Sequence, residues 1–297
     1  VRTSHYVVVY QFGKVASTSI VATLDALPGV TAVQSHFLGE KALASIVPTI
    51  TGAQIPHYFF QHQLGQFIHN MRVTRQINRI RAGLMREDLV VISLAREPMS
   101  WIRSSTVQDM RGYLEPLKQY AARHGVAGES DAATVRAALA HLLAAAADLL
   151  AGLGGIDAAI EAMNRRGGAI FAGTPYENDE GAQRLFRMML RPFDWFDRHF
   201  RTALGFGVEE MTRTELGLEH EEARARFLIT RYEDLGTVIP RYAAGLGLSE
   251  GLALKRENTS EEKLYAEEAV EAFRSPEGQA FEEVTRASTY SRTFGYA

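Results

Sequence analysis

Gly13-Lys14-Val15-Ala16-Ser17-Thr18-Ser19 follows directly on Tyr6-Val7-Val8-Val9-Tyr10 and leads into a helix-like run over residues 19–27. The β-branched run reads as a buried strand, so the order is strand, short loop, helix N-terminus. That loop brings one lysine and three hydroxyl side chains to a place where free backbone N–H groups and the helix macrodipole favour an anion. A Walker A loop, G-x-x-x-x-G-K-[ST], ends in its lysine and sets a hydroxyl beside it for magnesium. Here the lysine opens the loop, Val15 follows it, and no second glycine closes it. The stretch therefore reads as a cradle for phosphate or sulfate and not as a Mg-ATP loop. The alternative is a plain strand–turn–helix with Ser/Thr capping.

Leu89-Val90-Val91-Ile92-Ser93-Leu94 is a second buried-strand run, and it leads through Ala95 to Arg96-Glu97-Pro98. Pro98 suits the first turn of a helix, where its missing N–H would be unpaired in any case. Ser104 lies eight residues beyond Arg96, within that helix. An arginine at a strand's carboxyl end and a serine in the next helix can converge on one anion, the arginine as a planar fork. The competing reading pairs Arg96 with a nearby carboxylate and leaves Ser104 to pack.

Taken together, the two segments resemble the sulfotransferases that use 3′-phosphoadenosine 5′-phosphosulfate (PAPS). That family carries a strand–loop–helix reading roughly P-K-x-[AGS]-[ST]-[ST]-[ST], and a strand followed by R-x-P-x-x-x-x-x-S. This chain departs from it in having Gly13 where proline is common. It is similar in particular to bacterial carbohydrate-type sulfotransferases, including those labelled capsular polysaccharide synthesis proteins. The supporting segments are Ser35-His36-Phe37-Leu38, Trp195-Phe196-Asp197 and Arg231-Tyr232-Glu233-Asp234-Leu235. The similarity runs, with gaps, over residues 6–265.

The resemblance implies an α/β fold, a P-loop-like parallel sheet flanked by helices, with PAPS as co-substrate and no metal. It assigns Gly13, Lys14, Val15, Ala16, Ser17, Thr18 and Ser19 to the 5′-phosphosulfate, and Arg96 and Ser104 to the 3′-phosphate. Lys255, Arg256 and Asn258 resemble the late loop that closes over the donor; the other reading is a solvated basic turn. Lys14 would stabilise charge on the leaving phosphate, and one of Ser17, Thr18 and Ser19 can hold it aside until the acceptor arrives. A neutral imidazole suits the removal of the acceptor's hydroxyl proton. His36 is the candidate base, since it ends the second strand on the same sheet edge as Lys14 and the family places a base nearby. Glu40 is the runner-up because some carbohydrate sulfotransferases use a carboxylate from this region. A purely structural role is the alternative for His36.

The rest of the chain fits one large α/β domain spanning residues 1–297, with a helical insertion over about 112–191. Strands are expected at 6–10, 31–35, 89–94 and 225–230, with helices at 19–27 and 41–46 and a turn at 48–52. Phe67, Met71, Ile77, Ile80 and Leu84 recur at mostly helical spacing with Arg72, Arg75, Arg79 and Arg81 among them, as in an amphipathic helix packed on a sheet. Residues 131–162 are rich in alanine and leucine, and glycines at 152, 154 and 155 break them before a further helix. The insertion either shapes the acceptor pocket or covers one face of the sheet. Phe193, Trp195, Phe196 and Phe200 read as core, and the acidic stretch 261–283 as a solvated helix.

A formal charge of −3 argues against a general nucleic-acid binder, and the absence of cysteine leaves no disulfide framework or thiolate chemistry. No uninterrupted apolar run approaches the roughly 18–20 residues of a membrane span, and no leader is evident. The expectation is a cytoplasmic protein whose partner is a carbohydrate or other hydroxyl acceptor, with its oligomeric state open. His220-Glu221-Glu222 begins like H-E-x-x-H, but Arg224 stands where the second histidine should be. Two rivals remain: an atypical P-loop kinase, and a non-catalytic nucleotide- or polysaccharide-binding module on the same fold.

Overall fold

The computed structural model describes residues 4–13, 16–51, 57–248, 252–254 and 263–297. In chain order the elements are β1 (His5–Tyr10), α1 (Ser17–Leu24), β2 (Val30–Ser35), α2 (Glu40–Thr51), α3 (His57–Arg81) and β3 (Asp88–Ala95). Helices α4 (Pro98–Gln108), α5 (Met110–His124), α6 (Asp131–Leu153), α7 (Ile156–Arg166) and α8 (Glu180–Trp195) follow. Next come the one-turn α9 (Thr202–Leu204) and strands β4 (Thr212–Thr214), β5 (Gly217–Glu222) and β6 (Ala225–Arg231). After them stand α10 (Leu235–Gly245), α11 (Ala266–Arg274), α12 (Pro276–Arg286) and α13 (Thr289–Phe294). The chain divides into two compact units, Val1–Arg96 with Trp195–Asn258, and Glu97–Asp194 with Thr259–Ala297.

The first unit is α/β, built on a six-stranded sheet in the order β2-β1-β3-β6-β5-β4. β1 pairs in parallel with β2 and β3, and β3 in parallel with β6. The expectation of a wholly parallel sheet is corrected at the far edge, where β4 and β5 run antiparallel. Val7, Val8 and Val9 are all fully buried, and β3 is buried from Leu89 to Ala95. Both faces of these strands are thus covered, which is why they read as unbroken apolar runs and not as alternating ones. Tyr10 packs on Trp195 with ring centroids 4.8 Å apart, and Trp195 meets Phe196 edge to face at 5.0 Å. The aromatic cluster is core, as its composition suggests.

Two helices of this unit differ from expectation. α2 runs on to Thr51, so Pro48 stands inside a helix instead of opening a turn. Prolines also lie inside α5, α8 and α10 (Pro116, Pro192 and Pro240), so packing overrides the propensity penalty in this chain. On α3 the buried side chains among the described residues are Asn70, Val73, Ile77 and Ile80. Of the five apolar residues expected to face the sheet, Met71 is 48% exposed and Leu84, beyond the helix end, 69% exposed.

The second unit is helical and centred on α6, which packs against α5, α11 and α12. Ser130 caps the start of α6 by accepting from the Ala133 N–H at 3.2 Å, and Gly154 ends it in the left-handed region. Val135, Leu139, Leu142, Ala146 and Leu150 form its buried stripe. α6 is long and apolar enough by composition to cross a membrane, the one such helix among the described residues, and 44% of that window is buried inside the protein. The acidic tail is not merely solvated: it breaks at Ser275-Pro276 into α11 and α12, which bury Ala269, Ala272, Phe273 and Phe281. This helical unit runs over Glu97–Asp194 and takes in the C-terminal helices as well.

Candidate functional site

Four parallel strands end along one edge of the first unit. Registers Tyr10↔Ser35 and Ala95↔Arg231 align the ends of β2 with β1 and of β3 with β6. Across this edge the chain leaves β2 into His36, β1 into Gln11, β3 into Arg96 and β6 into Tyr232. β1 connects through α1 to β2 on one side, while β3 lies on its other side. The strand order reverses between β1 and β3, and such a reversal opens a ligand crevice beyond the carboxyl ends of the strands.

The loop after β1 is shaped by its backbone. Gly13 has φ +95°, a value closed to proline with its φ near −65°. The chain therefore leaves β1 through a turn that a proline at position 13 could not make. Ala16, at the N-cap of α1, has φ +57° and ψ +27°, a left-handed conformation that costs an alanine about 1–2 kcal/mol. Its methyl cannot cap, and no side-chain cap of α1 is found among the described residues. The start of α1 thus presents backbone donors and the positive end of the dipole, without an acidic residue in the first turn to neutralise it. Ser17 and Ser19 are buried and Thr18 is exposed. Lys14 and Val15 lie outside the described residues.

Gln11 joins this loop to the end of β2, a role that nothing in the sequence pattern announced. Its Oε1 accepts from the Gly13 N–H, which fixes the amide orientation, and its Nε2 donates to Ser17 Oγ at 2.9 Å. His36 Nδ1 lies 3.0 Å from the Gln11 carbonyl oxygen and 3.4 Å from Gln11 Nε2. One ring nitrogen cannot donate to the first and accept from the second, and the shorter contact to a pure acceptor places the proton on Nδ1. The Nε2 lone pair is then the basic site, and no hydrogen bond engages Nε2 among the described residues. Ser35 Oγ, at 2.8 Å from Asn70 Oδ1, ties the end of β2 to α3 and steadies the histidine's backbone.

Glu40 is placed elsewhere. It is exposed at the first position of α2 and lines a cleft with Leu43, Phe67 and Thr74 whose described lining does not include His36.

On the other side of the crevice, the Arg96 guanidinium lies 4.6 Å from the centre of the Tyr232 ring, a stacking contact that orients its fork. The Glu97 carboxylate caps α4, accepting from Met99 N–H at 3.0 Å and Ser100 N–H at 2.6 Å. Ser104 stands on the second turn of α4, half-buried, within the second unit. Lys255, Arg256 and Asn258 lie outside the described residues.

Below the edge, Ser93 Oγ donates to the Tyr10 carbonyl at 2.5 Å, locking β3 to β1. Burial pushes the Tyr10 phenol far up, so it stays neutral and serves the core. His220 lies on a strand, β5, with its ring 4.1 Å from that of Phe206. The helical H-E-x-x-H geometry is therefore absent on structural grounds as well. No cluster of potential metal ligands occurs among the described residues.

Sequence reasoning missed Gln11 and the use of Tyr232 as a platform. Tyr232 was visible only as part of the Arg231–Leu235 segment. No family model, no curated protein and no solved structure matches this chain.

Proposed function

We infer that the chain is a PAPS-dependent sulfotransferase with a P-loop-like donor site, acting on a hydroxyl of a carbohydrate or glycolipid. One observation carries the reading. The N-terminus of α1, with no side-chain cap among the described residues, and Arg96 flank the switch point between β1 and β3, and His36 is hydrogen-bonded to Gln11 at the start of the loop that leads into α1. In the reaction His36 Nε2 takes the acceptor's hydroxyl proton while the acceptor oxygen bonds to the donor sulfur. The bond from that sulfur to the bridging phosphate oxygen breaks. Lys14 and the first N–H groups of α1 take up the charge that grows on the departing phosphate. Arg96, held flat by Tyr232, recognises the 3′-phosphate that marks PAPS among adenine nucleotides.

Adenosine 3′,5′-bisphosphate, the product of the donor, tests the reading by thermal shift without metal. At a hundredfold its dissociation constant it should stabilise the protein by roughly 2.7 kcal/mol, while ATP with magnesium should not. Arg96→Ala should remove roughly 1.5–3 kcal/mol of bisphosphate binding, the range for a hydrogen bond to a charged group, and far less for adenosine 5′-phosphate. Equal shifts with ATP and the bisphosphate would remove the case for a PAPS site.

A further inference from the structure

α2 and α3 leave between them an open cleft of about 790 Å³. Leu43, Ala44, Val47, Phe67, Met71 and Leu84 supply its apolar lining. Leu64, Ile68 and Met71 continue the same surface along α3, at i, i+4 and i+7, and all three are exposed. A single exposed leucine carries no meaning, but a contiguous stripe beside a cleft marks a binding surface.

Arg72, Arg75 and Arg79 accompany that stripe at i, i+3 and i+7, all exposed, and Arg75 and Arg79 line the cleft. In the same unit Arg81, Arg224 and Arg226 each hold a carboxylate (Glu222, Asp88 and Glu221), whereas these three have no ion-pair partner among the described residues. One carboxylate, Glu40, lines the cleft, at the helix start where the dipole favours it. The surface is thus apolar with a net positive border. An isologous contact with a second copy would tend to set the arginine row against its own like charges, which disfavours that occupant.

We propose that this cleft is a docking site for an anionic phospholipid at a bilayer surface. An acyl chain enters among Val47, Phe67 and Met71, and the headgroup phosphate meets Arg72, Arg75 and Arg79. Arginine stems covering apolar surface while their heads reach a charged interface are the chemistry of interfacial helices. The inference does not rest on the sulfotransferase reading, because neither the loop after β1 nor Arg96 takes part in it.

The test is co-sedimentation of the full chain with phosphatidylglycerol-containing vesicles and with pure phosphatidylcholine vesicles, at about 0.1 M salt. Each arginine near an anionic surface strengthens partitioning about fivefold, so Arg72→Gln/Arg75→Gln/Arg79→Gln should weaken binding to the anionic vesicles by roughly a hundredfold. Met71→Asp/Leu84→Asp should also abolish it, with an unchanged melting temperature because both residues are exposed in the fold. Soluble glycerol phosphate should fail to compete, which separates a lipid from a free phosphate. Equal binding to both vesicle types, full binding by the triple variant, or a dimer lost in Met71→Asp without any vesicle binding would each overturn the proposal.

Discussion

At the scale of single residues, His36 carries the most specific expectation. Its Nδ1 donates to the Gln11 carbonyl, so the nitrogen left basic is the one turned away from the loop backbone. His36→Ala should slow turnover by roughly 10²–10⁴, the range for a lost general base, and leave bisphosphate affinity nearly unchanged. Rate and affinity are to be measured on the same preparation. Near-normal turnover would return His36 to a structural role and make Glu40 the next candidate despite its place on the cleft. Arg96 and His36 were legible as strand-end positions because each directly follows a strand that the sequence shows. Gln11 was not, because a glutamine after a strand looks like any solvated polar residue. It is fully buried, and its three hydrogen-bond roles come from a fold that brings residues 11, 17 and 36 together.

Elements show the same division. β1 and β3 could be read from sequence to within a residue or two, since burial on both faces leaves unbroken apolar runs; the edge strand β2, with Thr31 exposed and Val33 and Gln34 half-buried, could be placed to within a residue as well. β4 and β5 could not. Thr212-Arg213-Thr214 is wholly exposed, and in β5 only Leu218 is buried, so neither strand carries an apolar signature. The acidic tail hid two packed helices for a related reason, because its small buried residues, Ala269 and Ala272, contribute little to an apolar pattern. α1 yields a prediction at this scale, because its start depends on a left-handed alanine. Ala16→Gly should leave stability within about 1 kcal/mol of the parent, strain relief being offset by the greater freedom of glycine in the unfolded chain. Ala16→Val should cost about 1–2 kcal/mol more, since a β-branched residue fits that region worst. Urea midpoints would decide, and a valine tolerated as well as glycine would mean that the loop does not adopt this conformation in solution.

For the whole molecule, acid sensitivity should come from both units at once. His5 in the first unit and His141 in the second have pKa values held below the ordinary 6.5, chiefly by burial. The neighbouring His124 adds to the effect at His141, and Arg226 to that at His5, where Asp88 opposes it. Below pH 6.5 the unfolded chain takes up protons that the folded one refuses, so stability falls with pH from there down to the folded values. The urea midpoint should be level above about pH 7.5, where an ordinary histidine is mostly neutral, and decline as the pH falls below 6.5. The paired change His5→Gln/His141→Gln should flatten that decline, and an unaltered decline would assign it to other groups. The division into units has a consequence for synthesis. Each unit is made of two separate stretches of chain, so the first is interrupted by Glu97–Asp194 and the second is completed only when Thr259–Ala297 follows. As the nascent chain leaves the ribosome, the edge of β3 that will receive β6 stays open until Ala225–Arg231 has emerged. The face of α6 that receives α11 and α12 waits for Ala266–Arg286. An apolar strand edge and an apolar helix face are thus both uncovered while the intervening chain is made, the interval in which such surfaces aggregate or recruit chaperones.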